Sequence, residues 1–450
     1  YKLLDLRFGG IRNIDAMGER LIINLDSASF ITYGQSQLNT NQENAYIGVG
    51  NIFRDRPKEI VPVETGYAGT QSPYSCISTE FGYAFYDADK KVFYQAGDGA
   101  EELSEKGLRN FFYDNMRLHG AEQLNQILED SPNPEDKPLE LHEFDNPLLP
   151  TSGMGFVCGY DRFYNRIIIT KRDFVIKETS LFKLASETGS KITYTSEEIR
   201  SLPFADTQLL EGTIILVDGA LHQINPNGKP VPASPIILED RSETLSYSLR
   251  TKKWESHHSY VPSLYQNHRN SLYSFQNQLF SGKGKEKMHE HNVGDYGVYF
   301  NITADPFEVA LPVRSQKAPS FLLSSILLMT YALNEDGSVD PEATFDELVV
   351  SNSTQSSGIV QLTNLDTMRR VDRWFRINKF RDMVKQGTGF LNLGKTWEPD
   401  QSVLDQNKRW FNQQHFIDQY QILKFRYTNS QPAKALYLQM VDALIKAVRR

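Results

Sequence analysis

The sequence predicts a mainly β protein: a β-propeller-like array of antiparallel, aromatic-rich hairpins, with one or two helical insertions and a smaller β-rich C-terminal region. Three observations predict it. Short segments alternate apolar and polar residues at the two-residue period of a strand with one buried face. Gly, Asn, Asp and Pro interrupt them at turn-like intervals. One hairpin pattern also recurs at intervals of some tens of residues, as it does in propellers and related arrays.

Residues 244–292 show this grammar most plainly. Leu245, Tyr247 and Leu249 alternate with Thr244, Ser246 and Ser248; residues 250–253 are polar enough for a turn, and Trp254 opens a return strand that Pro262 ends. Proline has no N–H to give to a ladder. A second hairpin is expected from Leu272, Tyr273 and Phe275, through a turn at 276–278, to Leu279 and Phe280. Nothing in this stretch requires a catalytic group.

From the N-terminus, residues 20–25 (RLIINL), 29–33, 46–49 and 59–64 read as strands, and 66–70 (GYAGT) as a glycine-hinged loop. Residues 82–94 form a hairpin that turns at 88–90. Residues 103–118 are the first credible helix, with Ser104 as N-cap and Leu108, Phe111, Phe112 and Met116 on one apolar face. Residues 123–150, with Pro132, Pro134, Pro138, Pro147 and Pro150 among many acids, read as a surface excursion.

Residues 156–174 repeat the hairpin of 82–94. Each has an apolar strand reaching Tyr-Asp (Tyr86-Asp87, Tyr160-Asp161), then a turn, a basic residue and a return strand. An aspartate suits that place because its side chain bonds its own backbone two residues on. Residues 244–255 are a looser third copy. Strands at 212–218 and 220–224 lie between copies, with a Pro-rich loop through Pro235. Residues 296–303, 307–311 and 345–350 read as further strands, and 321–333 as a buried one. At 351 the composition changes: SNSTQSSG (351–358) reads as a polar linker, dividing a body at 1–350 from a C-terminal β-rich interface region at 351–450. Beyond it come a basic, aromatic run at 366–385, a strand at 422–427 and a tail with Lys446, Arg449 and Arg450.

Composition narrows the function. The 450 residues, 40% hydrophobic and 12% aromatic, are enough for two or three cores. A formal net charge of −8 argues against a protein that binds nucleic acid by neutralising phosphate, yet an acidic wall lets a duplex slide past. Cys76 and Cys158 make neither a disulfide framework nor a zinc site unaided, and read as buried thiols in a reducing compartment. No run approaches the ~20 apolar residues of a membrane span. The chain opens at Tyr1 without a leader, and the expectation is a processed piece of a longer polypeptide.

Residues 389–396 (GFLNLGKT) match the phosphate-loop pattern, with Lys395 as its lysine. That motif works only between a buried strand and a helix; here 381–388 are no buried strand, and Trp397 and Pro399 follow at once. It reads as coincidence. His289 and His291 would share a strand face and could chelate a metal, but Lys283, Lys285 and Lys287 flank them and a solvated loop is expected instead. His257-His258 is the other dense histidine site. No nucleophile elbow, zincin helix or spaced carboxylate pair stands out. At helical spacing Arg369, Arg373 and Arg376 would share a face, as a nucleic-acid patch or as basic residues meeting acids of another subunit; Asp366, Asp372 and Asp382 beside them favour the latter. No catalytic, cofactor or metal residue is assigned, and the chain is not expected to be an enzyme.

Taken together, GYAGT (66–70), GYAFYDADKKVFYQAGDGAEELSEKGLRNFF, GYDRFYNRIIIT, TLSYSLRTKKWESHHSYVP, SNSTQSSGI and RWFRINKFRD resemble the tail muzzle (nozzle) proteins of crAss-like bacteriophages, relatives of the tail nozzles of short-tailed phages. The similarity spans most of residues 45–430, in structural phrases without catalytic signatures. It implies a propeller-like body, a homo-oligomeric hexameric ring about the tail axis, and a lumen through which dsDNA leaves without sequence-specific binding. The implied neighbours are tail hub, ring or fibre proteins and the rest of a larger muzzle chain. The implied location is the virion tail, assembled in the host bacterial cytoplasm. Two alternatives stay open: a propeller-type glycan-binding adhesin or glycan-cleaving enzyme of the tail, and a nucleotide-driven motor component that rests on Lys395.

Overall fold

The computed structural model describes residues 4–18, 20–33, 35–39, 44–48, 57–61, 67–97, 99–120, 122, 154–176, 191, 193–201, 213–218, 220–225, 227–232, 238–276, 287–299, 305–315, 319–362, 367–391, 400–408, 413–428 and 434–448. The chain is mainly β, in antiparallel sheets, and divides into two compact units, Tyr1–Asn292 and Val293–Arg450. No described helix is long and apolar enough to cross a membrane.

The first unit is a run of small sheets. Strands β1 (Ile11–Met17), β2 (Arg20–Leu25) and β3 (Ser29–Tyr33) precede a separate hairpin of β4 (Gln35–Asn39) and β5 (Asn44–Gly48), and β6 (Lys58–Glu59) returns to close the sheet β1-β2-β3-β6. Next come β7 (Cys76–Thr79), β8 (Gly82–Asp87), β9 (Val92–Ala96) and β10 (Ala100–Glu102), one four-stranded meander. After helix α1 (Arg109–Asn115) lie β11 (Gly155–Asp161), β12 (Arg166–Arg172) and β13 (Phe174–Ile176). Strand β14 (Thr193–Tyr194) and helix α2 (Ser196–Ser201) lead into β15 (Ile214–Val217), β16 (Ala220–Ile224) and β17 (Pro230–Pro232). β14 runs parallel to β15, the exception among these pairs. Then β18 (Leu238–Asp240) pairs β13, while β19 (Glu243–Ser248) and β20 (Lys253–His258) extend β11-β12 into a four-stranded sheet. Last are β21 (Leu264–His268), β22 (Ser271–Gln276) and β23 (Lys287–Glu290).

The recurring hairpin has a recurring backbone. Asp87 pairs Val92, Asp161 pairs Arg166 and Ser248 pairs Lys253, so each loop is the four residues 88–91, 162–165 or 249–252. The last loop residue is left-handed in all three: Lys91 at φ 61°, Asn165 at 51° and Lys252 at 55°. The residue before the loop anchors it. Asp161 accepts from Phe163 N (3.0 Å), Asp87 from Lys90 N (3.0 Å) and Ser248 Oγ from Thr251 N (3.2 Å). Tyr86, Tyr160 and Tyr247, each one place earlier, are buried.

Several expectations need correcting. The helix spans only Arg109–Asn115, and Ser104 does not cap it: Gly107 turns left-handed at φ 95°, and buried Ser104 accepts from Phe93 N at 3.4 Å. The glycine of 66–70 that matters is not a hinge. A Cβ on Gly69 would lie 2.3 Å from Asp26 O, and Gly69 N donates to Asp87 (3.0 Å), so this loop is clamped. The second hairpin of 244–292 pairs backwards: β22 joins β21 through Arg269 and Asn270, then β23 on its other side, and residues 277–286 lie outside the described ones. Residues 296–299 form no strand; 300–303 and the excursion at 123–150 are also outside.

The second unit holds β24 (Phe307–Arg314), β25 (Phe321–Leu333), β26 (Val339–Asp340), β27 (Glu347–Ser351), β28 (Val360–Gln361), β29 (Met368–Val371), β30 (Trp374–Ile377), β31 (Ile417–Asp418), β32 (Tyr420–Tyr427) and β33 (Ala435–Ala447). One sheet runs β24-β32-β27-β28. In the other, β25 carries β33 along one edge and β31, β30 and β26 in turn along the opposite one. Leu323, Ile326, Leu328 and Phe375 of this sheet share a core with Leu348, Leu423 and Phe425 of the first. The unit boundary therefore falls near 292 and not at 350: β24 and β27 each pair β32, so strands before and after 351 build one body.

Residues 351–358 are accordingly no linker. Asn352, Gln355, Ser356 and Ser357 are buried. Asn352 Nδ2 donates to Gln355 Oε1 (2.9 Å) and Gln421 Oε1 (3.2 Å), and its Oδ1 accepts from Thr354 N (3.0 Å) and Gln355 N (2.8 Å). A stretch that composition marks as solvated supplies its own hydrogen bonds, which is the condition for burying it.

Candidate interaction surface

Among the described residues singled out for chemistry, His258 and His291 meet at Tyr260, with His289 against His291. Phe390 of the phosphate-loop match is 87% exposed, and Gly389 to Leu391 lie in neither strand nor helix; Lys395 is outside the described residues. Ile214–Val217, within the strand expected at 212–218, pairs antiparallel with β16 in a hairpin. Cys158 is buried with Sγ 3.3 Å from Ser75 O, and burial pushes the thiols of Cys76 and Cys158 up, away from the reactive thiolate.

The histidines sit differently from expectation. His289 lies on β23 and is half-buried, and His291, just past it, is 4% exposed because its N–H donates to Leu272 O (2.9 Å). The flanking lysines suggested a solvated loop, but the ladder with β22 decides the matter. His291 Nε2 lies 2.9 Å from Ser274 Oγ, and its ring packs on Tyr260 (5.3 Å) and His289 (5.4 Å). His258 lies 5.0 Å from the same Tyr260 ring. Desolvation, with Arg166 and neighbouring histidines adding to it, pushes His258 down to about 3 and His291 to about 4. Both rings are neutral at neutral pH. Among the described residues no group of three or more His, Cys, Asp or Glu side chains is placed to hold a metal.

The basic run forms neither a helix nor a helical face. It is the hairpin β29-β30, in which Arg369 pairs Arg376 directly across the ladder and Asp372 turns at φ 58°. Residues opposite one another on paired strands point to the same side, so two guanidinium groups share one exposed patch. Among the described residues no carboxylate pairs with Arg369, Arg373 or Arg376. Arg370 does pair, with Glu342, and Asp382 is occupied by Lys408 at 3.4 Å.

These arginines continue a larger surface. Alternate residues of β25 face the core; the others, Leu327, Met329 and Tyr331, face away and are half-buried. Arg376 pairs Leu327 from one side. From the other, Asp442 pairs Leu327, Met440 pairs Met329 and Tyr437 pairs Tyr331. The rings of Tyr331 and Tyr437 stack at 5.1 Å with planes 9° apart. Met440 is 52% exposed and Leu444 40%. Tyrosine, methionine and arginine together are what interface cores favour. In the sequence the tail stands out by its charge, and this face does not. Its signal was the alternation in YLQMVDALIKA, broken by the bulge at Gln439, where Met440 and Leu438 flank one register shift.

No protein-family model matches the chain, and no curated protein matches it.

Proposed function

We propose that this chain is a structural virion protein of a phage tail, part of the muzzle or nozzle channel through which the genome is ejected. The observation that carries the reading is the recurrence of one hairpin, with the same loop length and the same left-handed residue at Lys91, Asn165 and Lys252, in the phrases that resemble tail muzzle proteins. On this reading the small sheets of the first unit are blades of a propeller-like body. Six copies surround the tail axis, against hub, ring or fibre proteins and the remaining part of the muzzle chain. The net charge of −8 suits a wall past which dsDNA slides unbound. The work is mechanical: short, mutually protected sheets transmit load without opening an edge. Cryo-EM of tails, with mass photometry of the purified chain, tests this. A six-fold ring at the tail end is expected, and a monomer missing from the tail would overturn it.

One observation favours a second reading, a glycan-binding tail adhesin. Phe163 and Tyr164, at the tip of the β11-β12 hairpin, are 72% and 50% exposed and meet edge to face at 4.8 Å. Exposed rings of this kind stack on sugars. A glycan array with Phe163→Ala and Tyr164→Ala separates the readings, and a reducing-sugar assay adds the cleaving variant.

A further inference from the structure

We propose that the free edge of β33 is a self-complementary pairing site for β33 of a second copy of this chain, in antiparallel register centred on Leu444. β33 is 13 residues long and bonded along one edge only: β25 pairs it throughout, and among the described residues no strand takes the other edge. A long edge bearing exposed apolar side chains is a template for another strand unless charge, proline or a covering element blocks it. Here Tyr437, Met440, Leu444 and Ile445 are exposed, and proline is absent from the strand.

The backbone fixes which groups are offered. Val448 N donates to Ser320 O and Leu444 O accepts from Ser324 Oγ, so these even-numbered residues bond towards β25. Val441, Ala443 and Ile445 therefore turn N–H and C=O outward. A two-fold partner must pair odd residues with odd and even with even. Charge then selects among the registers. Asp442 and Lys446 stand on the same outer face as Leu444, both are exposed, and among the described residues neither has an ion-pair partner. Centring on Asp442 or on Lys446 sets like charges opposite each other, and centring on Ala443 or Ile445 leaves both charges against neutral residues. Centring on Leu444 places Asp442 against the partner copy's lysine and Lys446 against its aspartate, twice by symmetry, around a Leu-Leu contact. It also joins the apolar outer faces of two sheets into one. A contact of this kind is isologous and closes at two copies. It is independent of the conduit reading, since a rotational ring needs unlike faces head to tail.

The test uses the full chain in sedimentation velocity over a concentration series, with circular dichroism to verify folding. Asp442→Lys opposes lysines at both charge positions, and Lys446→Asp opposes aspartates; each is expected to weaken pairing about a hundredfold or more. The two variants mixed in equal amounts are expected to associate as a mixed pair in the same register, and the double exchange Asp442→Lys/Lys446→Asp to pair as the native chain does. A native chain with no two-copy contact, single variants that associate unchanged, or a mixture that stays apart would each overturn the proposal.

Discussion

Lys171 and Asp173, two residues apart on the chain, form an ion pair at 3.2 Å with both side chains buried inside the first unit. Neither is left to the other alone. Lys171 Nζ also donates to Arg117 O (3.0 Å), while Asp173 accepts from His119 N (3.0 Å) and Gly120 N (2.8 Å). The pair ties the end of β12 to residues 117–120, just after α1.

Removing one partner leaves a buried charge uncompensated, which costs about 3–5 kcal/mol. Lys171→Met and Asp173→Ala are each expected to lower the urea midpoint accordingly, and the double replacement to cost less than the sum. A loss below about 1 kcal/mol for either single change would mean that water already reaches the pair.

Acid should loosen the first unit. His258 and His291 have folded values of about 3 and about 4, far below the ordinary histidine value of 6.5. Between about pH 6.5 and pH 4 the unfolded chain takes up protons that the folded chain refuses. Stability therefore falls as pH falls, by at most about 1.4 kcal/mol per pH unit for each histidine. Burial raises Asp87 and Asp89, which act in the opposite sense: each offsets part of the loss as pH falls from its raised folded value to the ordinary carboxylate value. Denaturant titrations at pH 7 and pH 5 should show the decline, and His291→Asn should flatten it.

Gly69→Ala is expected to destabilise by several kcal/mol, because the new methyl group meets the backbone at Asp26 and neither chain segment is free to retreat. Gly97, with open space where a Cβ would stand, is the control: Gly97→Ala should be near neutral or slightly stabilising. Paired thermal melts compare them.

Asn352→Ala strands Gln355, Gln421 and two backbone N–H groups without their partner. A loss of about 2–3 kcal/mol is expected in urea denaturation. If the change were neutral, residues 351–358 would behave as the solvated linker their composition describes.

Arg369→Glu replaces a like-charged cross-strand pair with an opposite one. The purified chain should gain about 0.2–1 kcal/mol in thermal or urea denaturation. A loss of stability would show that the two guanidinium groups already share an anion.

Period-two alternation and turn residues were enough to place the β elements: 20–25, 82–94, 156–174 and 321–333 fold as strands where the pattern put them, because alternation is a local property of a strand with one wet face. The Tyr-Asp turns were legible for the same reason, since an aspartate closes its own loop whatever surrounds it. Tertiary structure alone decided what lies far apart in sequence. It joined β24 and β27 to β32 and so moved the unit boundary from 350 to 292, and it buried 351–358 against Gln421. It also set His291 beneath Tyr260, and Arg369 opposite Arg376 instead of two helical turns away. Burial and pairing depend on which distant strand arrives alongside, and a local pattern carries no record of that.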